Sequence, residues 1–106
     1  MPLTFSVEQS DEVIRVTPSG DIDLDTTVSL REVLQDAVAK PGVSRIEINM
    51  RKVTVLDSSG IAVLVVAHRA AADRGITLVL QDPGPMVRLV LDVTNLSPMF
   101  VDERQA

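Results

Sequence analysis

The amino-acid sequence predicts an α/β (α+β) fold in which helices pack against a mixed sheet of four to five strands. Extended segments alternate with segments of helical periodicity, which indicates parallel strands joined by right-handed crossovers. Two extended segments near the start are separated only by a short polar turn, which indicates an antiparallel hairpin. The chain has 106 residues and is 45% hydrophobic. This is enough apolar material for one core, and we expect a single domain over residues 1–106.

The opening hairpin is predicted to pair the segment around Phe5 and Val7 with residues 13–17. Each segment alternates apolar with polar side chains, as a strand with one buried face does. We expect residues 18–20 (Pro-Ser-Gly) to interrupt the second strand, because proline and glycine are rare inside strands. A brief extended piece around Ile22 then leads into the first helix.

The first helix is predicted from apolar side chains that recur at the spacing of one buried helix face. These side chains are Leu30, Val33, Leu34, Ala37 and Val38. Asp25 and Thr26 are alternative N-caps, and Lys40 with the Pro-Gly pair after it ends the helix. Two short strands are predicted next, at residues 45–49 and 53–56.

The second helix is predicted to open at residues 57–60 (Asp-Ser-Ser-Gly) and to run to Arg74, with Gly75 as its C-terminal glycine. Its expected buried stripe consists of Ile61, Leu64, Val65, His68 and Ala72. Residues 61–67 are apolar on every side, which indicates burial on more than one side.

The last third of the chain is predicted to hold a strand at residues 76–80 and a short helix at residues 86–93. Pro85 suits a first helical position, and Asn95 suits a left-handed residue that ends the helix. An edge strand is expected at residues 99–101 (Met-Phe-Val).

The composition excludes several classes of function. The net charge is −5, and two Phe are the only aromatic residues, so the chain lacks the basic surface and stacking rings of a nucleic-acid-binding protein. It has no Cys and one His, which removes thiol catalysis and leaves no His pair for a metal. No targeting segment is visible, and the longest apolar run is far shorter than a membrane span. We expect a cytoplasmic protein without a membrane segment or cofactor.

The Asp-Ser-Ser-Gly segment has the composition of a regulated helix N-terminus. Asp57 or Ser58 can cap the free amides of the first turn, and Gly60 permits a close approach of another chain segment. A phosphate on a serine here is expected to meet free N–H groups and the positive end of the helix dipole. The same four residues are equally a good N-cap with no further role.

Three blocks of this sequence stand out together: residues 20–23 (Gly-Asp-Ile-Asp), 55–61 (Val-Leu-Asp-Ser-Ser-Gly-Ile) and 91–96 (Leu-Asp-Val-Thr-Asn-Leu). They resemble the STAS domain, and in particular the single-domain anti-sigma factor antagonists of bacteria. Their order and spacing cover nearly the whole chain. Two positions depart from the family pattern, since Ala62 and Asn95 stand where many relatives have glycine; neither bears on the serines.

The resemblance implies a function. Ser58 corresponds to the serine that a serine-kinase anti-sigma factor phosphorylates, with Asp23, Asp57, Ser59 and Gly60 around it. By this resemblance, the unphosphorylated protein is expected to bind the kinase and free the sigma factor, so that transcription is regulated by partner switching. The phosphorylated protein is expected to release the kinase, and a serine/threonine phosphatase to reset it. The implied protein is not an enzyme, and its oligomeric state stays open.

An accessory or regulatory subunit of a transporter, without a phosphoswitch, is the alternative within the same family. A structural adaptor whose serines are only caps is a further alternative. Neighbouring genes for a serine kinase or a transporter would discriminate between the first two.

Two other chemistries compete for the same residues. Asp21, Asp23, Asp25 and Glu32 fall at the oxygen-ligand spacing of a calcium-binding EF-hand loop, but Thr26 stands where that loop needs glycine. A hydrolase built on Ser58 would need His68 as its base. Ten residues along one helix separate the two by about 15 Å, too far for a serine–base hydrogen bond.

Overall fold

Within the part of the chain that the structure describes, residues 2–100, five strands form one mixed sheet. The structure is a computed structural model. The elements in chain order are β1 (Thr4–Ser10), β2 (Val13–Ile22), α1 (Thr27–Ala39), β3 (Arg45–Asn49), β4 (Val53–Leu56), α2 (Ser58–Asp73), β5 (Thr77–Gln81), α3 (Pro85–Val93) and α4 (Ser97–Phe100). The mixed α/β fold is confirmed, including the opening hairpin and both crossover helices.

β2 is the strand that organises the sheet. It pairs with β1 in antiparallel fashion and with β3 in parallel fashion, and β5 lies beyond β3. Its second half pairs in parallel with β4, from Gly20 to Ile22. The sheet therefore contains both the predicted hairpin and the predicted parallel pairs.

The interruption expected at residues 18–20 is wrong, because β2 runs through them as one strand. The register with β4 shifts only after them, between Gly20 and Asp21. The Gly20 amide donates to the carbonyl of Lys52, the residue before β4, at 3.0 Å. Backbone N–H groups two residues apart in a strand point to the same side, so the nitrogen of Pro18 also faces that side. Pairing with β3 ends at Val16 and pairing with β4 begins at Gly20. Pro18, which has no N–H, falls in the gap between these two ladders, so the sheet loses no hydrogen bond there.

Both crossover helices contribute apolar side chains to one core with the inward side chains of the sheet. In α1 the buried face is the predicted one, except that Val33 is half-buried. In α2 the buried residues are Gly60, Val63, Leu64, Ala67 and Ala71. The observed buried face of α2 is therefore rotated relative to the predicted stripe, in which His68 is half-buried and Ala72 is exposed. The reason is that a segment apolar on every side has no periodicity that fixes its inner face.

The C-terminal part of the described chain is helical. The expected edge strand at 99–100 is wrong, because Phe100 lies in the helical turn α4, fully buried; residue 101 is outside the described residues. The Phe100 ring meets the His68 ring edge-on at 5.5 Å between centroids. No helix among residues 2–100 combines the length and the apolar character needed to cross a membrane.

Candidate functional site

The candidate site lies where the parallel strands β2 and β4 end side by side. Ile22 of β2 is paired with Leu56 of β4, and the Asp57 amide continues the contact by donating to the Ile22 carbonyl at 3.2 Å. The chain leaves β2 into the loop 23–26 and leaves β4 into Asp57 and α2. Carboxyl ends of neighbouring parallel strands are where α/β proteins commonly place their sites.

Asp57 is the N-cap of α2. Its backbone is extended, and its Oδ1 atom accepts hydrogen bonds from the Ser59 amide (3.0 Å), the Gly60 amide (3.1 Å) and the Ser59 hydroxyl (2.5 Å). The hydrogen bond from Ser59, followed by those from the Gly60 and Leu24 backbones, lowers the pKa of Asp57 below its ordinary 3.8. Asp57 is therefore ionised at neutral pH and occupies the positive end of the helix.

The two serines differ in their environments. Ser59 is half-buried and its hydroxyl is committed to Asp57. Ser58 is exposed, and its hydroxyl has no hydrogen-bond partner among residues 2–100. Of the two hydroxyls, only that of Ser58 is both accessible and unpaired within the described chain.

Two of the amides that a phosphate on a serine of this segment is expected to meet are already bonded. The Ser59 and Gly60 amides already bond to the Asp57 carboxylate, which sits where an added anion would sit. A phosphate on Ser58 would consequently lie beside a carboxylate, and like charges repel it toward the surface.

Gly60 is required by packing and not by its backbone angle. A Cβ atom added at this position would lie 2.3 Å from Cγ2 of Ile22 and 3.0 Å from Cδ1 of Leu56. Real Cβ atoms essentially never show a contact of 2.3 Å, so the close approach of α2 to Ile22 depends on residue 60 having no side chain. Gly60 therefore sets the height of the serines above the sheet.

The loop after β2 is held by its own polar side chains. The Thr26 hydroxyl donates to the Asp21 carbonyl (2.9 Å) and accepts from the Asp23 amide (3.0 Å), while Asp23 Oδ1 accepts from the Asp25 amide (3.0 Å). Thr26 is the N-cap residue of α1 by position, but its hydroxyl caps no helix amide. Asp23 is thus held in this loop by hydrogen bonds with Thr26 and Asp25.

The structure does not support the two competing chemistries. Asp21 belongs to β2, so a strand occupies the place of an EF-hand's first helix. Its carboxylate accepts a hydrogen bond from the Thr54 hydroxyl, which lowers the pKa of Asp21. Among residues 2–100, no group of three or more acidic or His side chains is arranged to hold a metal ion. His68 lies along α2 against Phe100, about 15 Å of helix from Ser58.

Comparison with known proteins decides the family. The family model described as the STAS domain matches residues 4–106. This chain belongs to the STAS domain family. The resemblance inferred from residues 20–23, 55–61 and 91–96 is thereby confirmed.

Individual STAS proteins are similar to this one over most of their length. An anti-sigma F factor antagonist of Paenibacillus polymyxa is 25% identical over 109 residues, which cover 100% of this chain and 93% of that protein. The anti-sigma factor antagonist SpoIIAA in its unphosphorylated form superposes with a TM-score of 0.79 at 23% identity, covering 96% of this chain and 91% of that one. An anti-sigma factor antagonist from Mycobacterium paratuberculosis gives a TM-score of 0.79 at 27% identity, covering 92% and 82%.

The structure of SpoIIAA from Bacillus has also been solved in its phosphorylated form, and that form matches this STAS domain with a TM-score of 0.73 at 22% identity, covering 96% of this chain and 95% of that one. The same overall fold is therefore compatible with a phosphorylated and an unphosphorylated state in that protein.

Sequence reasoning missed Leu24. This side chain stands between two acidic residues in the loop and is 74% exposed. Single exposed leucines are common on protein surfaces, so the sequence carried no signal that singles out Leu24.

Proposed function

We propose that this STAS domain is an anti-sigma factor antagonist that is switched by phosphorylation of Ser58. The unphosphorylated protein binds a serine-kinase anti-sigma factor and so releases a sigma factor for transcription. The names of the two relatives at 25% and 27% identity support the class of partner. The protein acts in the cytoplasm, as a substrate and a binding partner and not as an enzyme.

The observation that carries the proposal is the difference between the two hydroxyls. Ser58 is exposed and unpaired within the described residues, while Ser59 donates its hydroxyl hydrogen to Asp57. A kinase needs an acceptor oxygen that it can reach and orient, and Ser58 meets this need without breaking an existing bond. In the transfer, Ser58 Oγ attacks the γ-phosphorus of ATP, its proton passes to a base of the kinase, and ADP leaves.

Charge explains the release step. Phosphorylation adds about −1.5 to −2 charges directly beside Asp57. A partner surface that fits a neutral hydroxyl then faces repulsion and the cost of removing water from the phosphate. A serine/threonine phosphatase restores the hydroxyl and with it the binding state. Asp23, Asp57, Ser59 and Gly60 position Ser58 and form the surface that the kinase contacts around it.

Phosphopeptide mapping tests the proposal. The full chain is incubated with ATP and the serine-kinase anti-sigma factor encoded by a neighbouring gene, and the modified peptide is sequenced by mass spectrometry. We expect one phosphate on Ser58, none on the Ser58→Ala variant, and full phosphorylation of Ser59→Ala. Full phosphorylation of Ser58→Ala would refute the site. Lack of any phosphorylation or binding by the unmodified chain would favour a STAS subunit of a transporter or another complex.

A further inference from the structure

A groove of about 460 Å³ runs between α1 and α2 on the surface of the molecule. Both helices follow parallel strands of one sheet, so they lie side by side and point the same way. Leu34 and Val38 of α1 and Val63 and Ala67 of α2 form its floor. All four are buried parts of the core, and they give the groove an apolar base.

The charge of the groove is opposite to that of the protein. Arg31 and Arg74 line it, and no acidic side chain among the described residues does so, although the chain carries a net charge of −5. Within residues 2–100 the ion pairs are those of Arg15 and Arg45 with Glu47. Arg31 and Arg74 therefore face the groove without an acidic partner from this part of the chain.

The groove is continuous with the candidate site. Ser59 and Leu24 line one end, and Arg74, the C-cap of α2, lines the other. The helix between them is sixteen residues long, which corresponds to about 24 Å. A partner that reaches Ser58 from above the N-terminus of α2 can therefore extend along the whole groove.

Small exposed side chains keep the groove open. Ala62 and Ala70 line it on the α2 side and are exposed, as is Val66, which is 66% exposed. An apolar trough between two helices is the kind of surface that accepts the ridge of a third helix. Two arginines beside it select a helix with acidic residues next to its apolar face.

We propose that this groove binds a helix of the anti-sigma factor that has an apolar face and acidic side chains opposite Arg31 and Arg74. This inference rests on the proposed function and adds a second contact to it, away from the phosphorylated serine. Both contacts supply affinity in the unphosphorylated state. Phosphorylation removes the contact near Ser58.

Titration calorimetry with the full chain and the intact kinase tests the proposal. We expect the double variant Arg31→Glu, Arg74→Glu to raise the Kd by about tenfold or more, because acidic side chains then face glutamates. Arg69→Glu is the matched control, since Arg69 is exposed on α2 and does not line the groove. It should change the Kd by less than about twofold, as a charge outside the contact does. Circular dichroism verifies that each variant is folded.

Two tryptophan variants test the shape of the groove independently of its charge. Ala70→Trp fills the groove and should also weaken binding by about tenfold, whereas Ala72→Trp, exposed on the same helix but outside the groove, should not. The proposal is overturned if the double arginine variant binds the kinase as tightly as the unmodified chain does. This holds even if Ala70→Trp binds weakly, because the occupant of the groove is then not acidic. Failure of the unmodified chain to bind the kinase would overturn the proposed function itself, and the groove proposal with it.

Discussion

Asp57 is the N-cap of α2, and its carboxylate accepts the hydroxyl hydrogen of Ser59. The sequence left Asp57 and Ser58 as alternative caps, because both side chains can accept from helix amides. The choice depends on where pairing with β2 stops: the Asp57 amide still bonds to the Ile22 carbonyl, so the helix begins one residue later. That register comes from the sheet, and no local pattern in the Asp-Ser-Ser-Gly segment contains it.

Removal of the Asp57 carboxylate should destabilise the fold measurably. Asp57→Ala leaves two amides and a hydroxyl without their acceptor, and loss of an N-cap costs about 1–2 kcal/mol of unfolding free energy. Urea denaturation followed by circular dichroism measures the change. Asp73→Ala removes an exposed carboxylate from the other end of α2 and should stay within about 0.5 kcal/mol. Equal losses in both variants would contradict the capping role.

The same carboxylate predicts a pH dependence. Hydrogen bonds from Ser59 and the Gly60 and Leu24 backbones lower the pKa of Asp57 in the folded state from 3.8. The unfolded state therefore binds a proton first, and the stabilisation is complete above pH 3.8 and is lost as the pH falls toward the folded pKa. Asp57→Asn should show a flatter decline of unfolding free energy below this pH. Parallel curves for the two proteins would refute the assignment.

Gly60→Ala tests the close approach of α2 to the sheet. Its methyl group would overlap Cγ2 of Ile22, and overpacking of a core costs about 1–3 kcal/mol, partly offset by the better helix propensity of alanine. Gly84→Ala is the control, because a Cβ atom there meets no atom within 4 Å. We expect a lower denaturation midpoint for Gly60→Ala than for Gly84→Ala. A Gly60→Ala protein as stable as the unmodified chain would contradict this account.

At the scale of elements, strands were predicted well where one face is buried and poorly where pairing changes partner. Pro18 and Gly20 indicate a break when each residue is considered alone. Only the three-dimensional arrangement shows that β2 passes from β3 to β4 at that point, so that a missing N–H is harmless.

The end of the described chain illustrates the limit of short apolar patterns. Two adjacent apolar residues at 99–100 are compatible with a strand or with a helical turn. Pro98 fits the first turn of a helix, and the Ser97 hydroxyl donates to Asp92 at 2.6 Å, tying α4 to the end of α3. Phe100 is therefore buried as part of the helical turn α4, where its ring contacts that of His68.

Glu47 is a charged residue that the alternation of β3 did not predict as buried. It is 8% exposed, between Ile46 and Ile48, and accepts from Arg15 (2.9 Å) on β2 and from Arg45 (2.8 Å). Burial raises its pKa, but the hydrogen bonds and charges of Arg45 and Arg15 outweigh burial and bring the pKa below 4.5. The carboxylate therefore joins β2 to β3 on the sheet face opposite the inward Ile46 and Ile48.

Glu47→Gln should weaken this cross-strand contact. Breaking a buried ion pair costs several kcal/mol, but Arg15 is 53% exposed and solvent screens the pair, so we expect a loss of about 1–2 kcal/mol at pH 7. Denaturation in urea measures it, with Glu8→Gln on the exposed edge strand β1 as control. The loss should disappear as the pH falls through the lowered pKa of Glu47. A difference that persists unchanged at low pH would rule out a charge effect.

For the whole molecule, the fold class was predictable because hairpin, crossover and capping signals agree with one another. The placement of the site was predictable in part, since Asp23 and Asp57 follow parallel strands that end side by side and Gly60 lies in the first turn of α2. The groove between α1 and α2 was not, because it depends on how two helices pack and on which side chains they leave between them. Surfaces of this kind follow from tertiary packing and have no signature within one segment.

The distribution of charge over the molecule leads to a last prediction, that a charge at Ser58 changes binding and leaves stability intact. Ser58 is exposed at the start of α2, where the helix dipole favours an anion and Asp57 opposes a second one. These effects oppose each other, so Ser58→Asp should alter the unfolding free energy by no more than about 0.5 kcal/mol. Its affinity for the anti-sigma factor should fall by about tenfold or more, and less at high salt, which screens exposed charges.

Ser29→Asp provides the comparison for net charge, because Ser29 is exposed on α1 and lines neither the site nor the groove. Calorimetric titration of both variants at two salt concentrations distinguishes position from total charge. Similar weakening by both would mean that the net charge, already −5, governs association. Weakening by Ser58→Asp alone would place the effect at the N-terminus of α2, as the proposed switch requires.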